Sequence, residues 1–210
     1  MPTRRLVMTG AGAACALAAA PALGQTPERS NPMPPELREA LERDPTAPVL
    51  GNPQGNITLT EFFDYNCPFC RKMVGLVQQL VSAEPDLRIV YREWPVFGPG
   101  SEFAAKASLA SLGTGKYWQL HHALMTMRGP ADAASTMRVV GSVGLDEEQI
   151  RRDMLAEAPE RHITNSFLLA DHMGLVGTPS FICGDELVFG ELTLTQLRDL
   201  VARGRRTMGV

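Results

Sequence analysis

The sequence predicts an α/β fold made of a β-α-β unit, a long helical block and a β-β-α unit, and three observations carry that expectation. An apolar run, Ile57 to Phe63, leads into Cys67-Pro68-Phe69-Cys70, after which Met73, Leu76, Val77, Leu80 and Val81 recur at helical spacing. From Ser101 to Met173 the patterning is helical throughout. Two short apolar runs, Ser180 to Cys183 and Glu186 to Phe189, then flank Gly184-Asp185, a two-residue hairpin signal.

Arg4 and Arg5 precede the alanine-rich, weakly apolar stretch Leu6 to Leu23, and Ala22-Leu23-Gly24 offers a small-x-small cleavage site, so residues 1–24 read as a removed export signal. Gly10, Gly12 and Pro21 weaken the competing reading of a retained anchor. Thr3-Arg4-Arg5-Leu6-Val7 fits a twin-arginine signal or an ordinary secretory n-region, which leaves the export route open. Residues 25–50 mix Pro27, Pro32, Pro34 and Pro35 with a short helical pattern from Glu36 to Arg43, an expected arm that ends in the turn cluster Gly51 to Gly55.

Residues 51–100 form the β-α-β half, closed by the strand Leu87 to Trp94. Residues 101–174 form the helical domain, with helices expected over Phe103–Ser111, Tyr117–Met127, Ala131–Val143, Asp146–Ala156 and Glu160–Met173. Asp146 with Gln149 resembles a capping box, and Gly174 suits a helix C-terminus. Residues 175–210 form the β-β-α half, whose last helix uses Leu194, Leu197, Leu200 and Val201 with Thr193 and Gln196 as its cap.

The 210 residues are 44% hydrophobic, enough for one domain with a sizeable core. Loss of Arg4 and Arg5 with the signal moves the formal charge from −3 to −5, and no basic stripe remains, which argues against nucleic acid as a partner. Cys15 leaves too. Three cysteines then remain, Cys67, Cys70 and Cys183, too few for a disulfide-stapled scaffold.

Two cysteines three apart at a helix start face one side, so the bond between them closes and reopens readily. Pro68 suits the first helical turn, where its missing N–H has no intrahelical partner, and this leaves Cys67 at the N-terminal edge. Unpaired N–H groups and the positive helix end stabilise a thiolate there, which makes Cys67 the better leaving group and the disulfide the better oxidant. Cys70, one turn in, reads as the resolving thiol. The competing reading is half of a zinc or copper cluster, but no second cysteine pair completes one. His121 and His122 are adjacent in a helical run and point apart, so they and the other histidines read as packing or surface residues, with no metal or cofactor expected.

The segment Thr60 to Cys70, TEFFDYNCPFC, resembles the active-site segment of the DsbA family of thiol-disulfide oxidoreductases, with the closest resemblance to its ScsC-like branch. Val176-Gly177-Thr178-Pro179-Ser180-Phe181 resembles the family's second signature, a Thr and cis-Pro loop packed against the cysteine pair. The resemblance spans residues 50–203 and implies a thioredoxin fold with an inserted helical domain. It further implies Glu61 as a buried acid that exchanges a proton with Cys70, and Thr178 and Pro179 as a loop that pairs with an extended substrate segment. Phe69 stands where the family's strongest oxidases carry histidine, which implies a milder oxidant. Cys183 is an apolar position of the hairpin in most relatives and reads as a buried, inert thiol or one that pairs between molecules.

The resemblance implies periplasmic exchange with reduced or misoxidised exported proteins, most simply as a dithiol oxidase restored by a DsbB-like membrane partner. An isomerase or reductase kept reduced by a DsbD- or ScsB-like donor uses the same residues. The short arm argues for a monomer and so for the oxidase. A copper-binding or copper-stress protein is the alternative of another class, since soft thiolates suit Cu(I).

Overall fold

The computed structural model describes residues 32–210, and the expected export signal lies outside them. Strands β1 (Val49–Gly51), β2 (Ile57–Phe63), β3 (Leu87–Glu93), β4 (Ser180–Cys183) and β5 (Glu186–Phe189) form one mixed sheet in the order β1-β3-β2-β4-β5. β2 and β3 are parallel, joined across helix α2 (Pro68–Ala83), while β1, β4 and β5 pair antiparallel to their neighbours. This is the α/β thioredoxin arrangement expected from the β-α-β and β-β-α patterns. The strand β1 was not foreseen: it is three residues long, follows Pro48 and occupies the sheet edge against β3, where so short a segment carries no period.

Both faces of the sheet are covered, so β2 and β3 are buried along their whole length. Leu59 and Phe63 of β2 pack into the main core with Val77 and Leu80 of α2 and with Leu197, Leu200 and Val201 of the last helix, α8 (Leu194–Met208). Phe62 points the other way, into a second cluster with Leu41, Trp94, Leu169 and Ala170. That cluster lies under helix α1 (Pro35–Glu42) and the long helix α7 (Glu157–His172).

Arg88 and Arg92, four apart on β3, share this second face and are buried. Their guanidinium groups reach the last carbonyls of α1. Arg92 donates to Leu41 O at 2.7 Å and to Ala40 O, and Arg88 donates to Glu42 O at 2.6 Å. A helix C-terminus has carbonyls without intrahelical partners and a partial negative charge, so two buried cations there satisfy both. Asp44 completes the arrangement, 2.8 Å from Arg92. Burial opposes its ionisation, but hydrogen bonds from Thr46 and Arg92 hold its carboxyl well below the usual range.

Five α-helices and a short 3-10 helix (Ser111–Thr114) separate β3 from β4: the α-helices are α3 (Pro99–Ala110), α4 (Tyr117–Thr126), α5 (Ala133–Ser142), α6 (Glu147–Asp153) and α7. α3 and α7 start earlier than hydrophobic spacing suggests, because Pro99 and Pro159 fall in first turns, where a missing N–H costs nothing. The Thr193–Gln196 capping box forms as expected, whereas Asp146 caps Gln149 N–H one way and the Gln149 side chain turns to Asp153. An unforeseen reciprocal box joins Asp132 and Ser135 at the start of α5.

Candidate active site

Cys67 is the N-cap of α2, with extended backbone angles (φ −75°, ψ 117°), and Pro68 is the first helical residue. Because β4 runs antiparallel to β2 with Ser180 opposite Phe62, the loop entering β4 lies beside the turn leaving β2. The Thr178–Pro179 bond in that loop is cis, and the Cys67 thiol donates to the Thr178 carbonyl at 3.3 Å. Both thiols of the pair are free and almost wholly buried.

Their electrostatics differ sharply. The Cys67 thiol is lowered from 9.0 to about 6, first by a hydrogen bond from the Cys70 thiol. Burial works against this. The Thr178 side chain and the N–H groups of Cys70 and Phe69 add to the lowering, the last two being the open donors of the first helical turn. Cys70 moves strongly upward, first through burial and then through its hydrogen bond to Cys67; wherever Glu61 or Cys67 is ionised, its charge adds to the rise. One sulfur is thus favoured as a thiolate while its neighbour stays a thiol.

Glu61 lies on the sheet face beneath the pair, flanked in register by Tyr91 of β3 and Phe181 of β4. It is 3% exposed and accepts no hydrogen bond among the described residues. Its carboxyl is pushed up from 4.5 to about 8, by burial first and the Cys67 thiolate second. At neutral pH it holds a proton.

Phe69 is half-exposed at the mouth, and Lys72 sits 5.4 Å above its ring while paired with Glu191 at 2.8 Å. A cation therefore stands near the dipeptide although Phe69 itself brings none. Phe97, Val176 and Phe189 add exposed apolar surface: Phe97 N–H bonds the Asp64 carboxylate, and Gly190, next to Phe189, bonds Pro179 O.

The fold thus brings Cys67, Cys70, Glu61, Pro68, Phe69, Thr178 and Pro179 together and leaves Cys183 apart. That thiol is buried against Gly204 of α8 and raised to about 12, first by burial. His121 and His162 are buried and lowered to about 3 by burial, so both are neutral. Among the described residues no group of three or more His, Cys, Asp or Glu side chains is placed to hold a metal. Sequence reasoning did not single out Asp64, Tyr65, Asn66 and Arg71, whose side chains tie the cysteine turn to the helical insert. Their signal is a run of polar side chains on both sides of a cysteine pair that follows a buried strand.

A profile of the DsbA-like thioredoxin domain matches residues 58–202. The chain belongs to this DsbA-like family. Among solved structures it is similar to a thioredoxin-like oxidoreductase from Silicibacter pomeroyi DSS-3, at 51% identity and TM-score 0.79 over 80% of this chain and 98% of that one. The thiol-disulfide exchange protein alpha-DsbA2 from Wolbachia pipientis matches at 31% identity and TM-score 0.75, covering 80% and 91%. The catalytic domain of Proteus mirabilis ScsC matches at 25% identity and TM-score 0.73, covering 80% and 94%. Curated relatives are Na(+)/H(+) antiporters, such as NhaA 1 of Mycolicibacterium gilvum, 29% identical over 157 residues. That stretch is 72% of this chain, but the chain spans about a quarter of the length of the relatives it matches.

Proposed function

We propose that this DsbA-like protein is a periplasmic dithiol oxidase of exported proteins, with Cys67 as the exchanging sulfur and Cys70 as the resolver. The opposed shifts of the two thiols carry the reading. A substrate thiolate attacks Cys67 of the enzyme disulfide, and the Cys67–Cys70 bond breaks. Cys70, the poorer anion, leaves with the electron pair and takes the proton that Glu61 holds. A second substrate thiolate then attacks the substrate sulfur of the mixed disulfide and expels Cys67 as a stabilised thiolate. The substrate has lost two electrons, which the dithiol passes to a membrane partner as the disulfide re-forms. Thr178 and Pro179 flank the attacked sulfur, and the apolar surface of Phe69, Phe97, Val176 and Phe189 suits unfolded, apolar segments of a substrate chain.

Cys70→Ser is expected to accumulate mixed disulfides through Cys67 on non-reducing gels of cell extracts, and Cys67→Ser none. Equal trapping by both variants would overturn the assigned roles. The second reading, implied by the resemblance to the ScsC-like branch, is an isomerase or reductase that uses the same residues. The redox state of the pair in cells separates the two: mostly disulfide for an oxidase, mostly dithiol otherwise.

A further inference from the structure

The three residues between β2 and Cys67 all give their side chains to the helical insert. Asp64 accepts from Ser101 Oγ at 2.6 Å and from Phe97 N at 2.9 Å, at the start of α3. The Tyr65 hydroxyl is buried 3.0 Å from Glu93 Oε1, 2.7 Å from Ser108 Oγ and 3.1 Å from His121 Nδ1. Asn66 pairs with the backbone of one residue in both directions: Ala131 N–H donates to Oδ1 at 2.7 Å, and Nδ2 donates to Ala131 O at 3.0 Å and to Ser101 Oγ at 2.8 Å. Space is tight there, since a Cβ on Gly100 would collide with the Ala131 carbonyl.

From the other side of the pair Arg71 reaches the same loop. Its Nη1 donates to Met127 O at 3.2 Å and Gly129 O at 2.8 Å, and its Nε to Tyr65 O at 2.7 Å. The residues immediately before Cys67 and immediately after Cys70 are therefore both fastened to residues 127–131, between α4 and α5.

We propose that Asn66 is a positioning residue for thiol-disulfide exchange: through its paired bonds to Ala131, the helical insert fixes the turn that aims Cys67 Sγ at the helix N–H groups and the Thr178 loop. The proposal rests on the functional reading above. Helix-terminal donors act on an anion within the first turn and weaken quickly as it moves away, so the backbone angles of the N-cap decide how much stabilisation the sulfur receives. Those angles belong to a turn whose internal bonds, Cys67 N to Asp64 O at 3.2 Å and Asn66 N to Asp64 Oδ1 at 2.6 Å, are few. The insert supplies the remaining restraint. A freer turn lets the sulfur sample positions off the helix axis, and the thiolate is less favoured.

The test compares Asn66→Ala and Ser101→Ala with Asp146→Ala, which removes a helix cap elsewhere in the insert. The full chain is read by the pH midpoint of Cys67 alkylation and by equilibration with glutathione. Asn66→Ala is expected to raise the midpoint by about half a unit, making the disulfide about threefold less oxidising, and Ser101→Ala is expected to shift it the same way by less. Asp146→Ala leaves both readouts at the wild-type value. If Asn66→Ala does not fold, Ser101→Ala decides alone. Wild-type midpoint and equilibrium in folded variants, or an equal shift in Asp146→Ala, would reduce Asn66 to a structural residue. The functional reading fails separately, if Cys70→Ser traps no substrate in cells, a result that leaves these profiles unchanged.

Discussion

Replacing Glu61 with Gln keeps the side-chain shape and removes its ionisation. In the folded chain the carboxyl is raised from 4.5 to about 8, by burial first and then by the Cys67 thiolate. Between those values the unfolded chain has released its proton while the folded chain keeps it. Stability is complete below the unfolded value and falls as pH rises, until the folded carboxyl itself ionises. At pH 7 the deficit spans about 2.5 units, or about 3 kcal/mol. Glu61→Gln lacks this slope, so its stability relative to wild type is expected to grow by about 3 kcal/mol from pH 4 to pH 7. Any fixed cost of burying the amide displaces the whole curve and leaves the slope alone. Urea denaturation at about pH 4, 5.5 and 7 reads it.

The disulfide form is the cleaner sample: it has no Cys67 thiolate, so the rise of Glu61 rests on burial, and the slope keeps its sign with a smaller size. In the dithiol form Cys67, lowered from 9.0 to about 6, acts with the opposite sign: its contribution is full above its unfolded value and is lost as pH falls through about 6. The same substitution leaves Cys70 without its proton source, and exchange at pH 7 is expected to slow by about 100-fold. Parallel stability curves for Glu61→Gln and wild type between pH 4 and pH 7 would refute the protonated carboxyl and the relay built on it.

Asp44→Ala leaves the wholly buried Arg92 without its carboxylate and is expected to cost about 3–5 kcal/mol in urea denaturation, where a loss under about 1 kcal/mol would mean that the α1 carbonyls suffice. A Cβ on Gly204 would lie 2.5 Å from Cys183 Sγ, so Gly204→Ala is expected to cost about 1–3 kcal/mol. Adding Cys183→Ala should recover most of that loss, and no recovery would move the strain to the backbone. Phe69→His places an imidazole beside the Cys67 thiolate and is expected to make the pair more oxidising in glutathione equilibration; an unchanged potential would show that Lys72 already supplies the cation.

What could be read from the sequence was what local rules decide. Pro68 in a first turn, the spacing of Met73, Val77 and Leu80, and the Gly184-Asp185 hairpin each depend on neighbours a few residues away, and β2, β4 and β5 fall on the residues that pattern indicated. The contacts that complete the site join distant residues. Asn66 meets Ala131 and Tyr65 meets Glu93, and neither pairing leaves a periodic trace. Arg88 and Arg92 fall within the expected strand Leu87 to Trp94, but their burial against α1 depends on where a separate helix ends. Glu61 and Thr178 were found through resemblance to a family, since a lone acid in an apolar strand has no local rule to mark it.

Asp44 and Glu61 show what that rule would have to contain. Both are carboxyls that burial penalises, on opposite faces of one sheet, and they shift in opposite directions. Asp44 accepts two bonds from Thr46 and one from Arg92, so its anion is favoured across the neutral range, and its charge helps hold α1 to β3. Among the described residues Glu61 has neither a donor nor a cation, and the charge that acts on it is the thiolate of Cys67, the partner of the sulfur it would protonate. Supplying either partner would drain the proton from Glu61 at neutral pH, and Cys70 would leave as a bare anion in a buried site. The isolation that makes Glu61 costly to the fold is therefore the same property that lets it hold a proton until the disulfide opens.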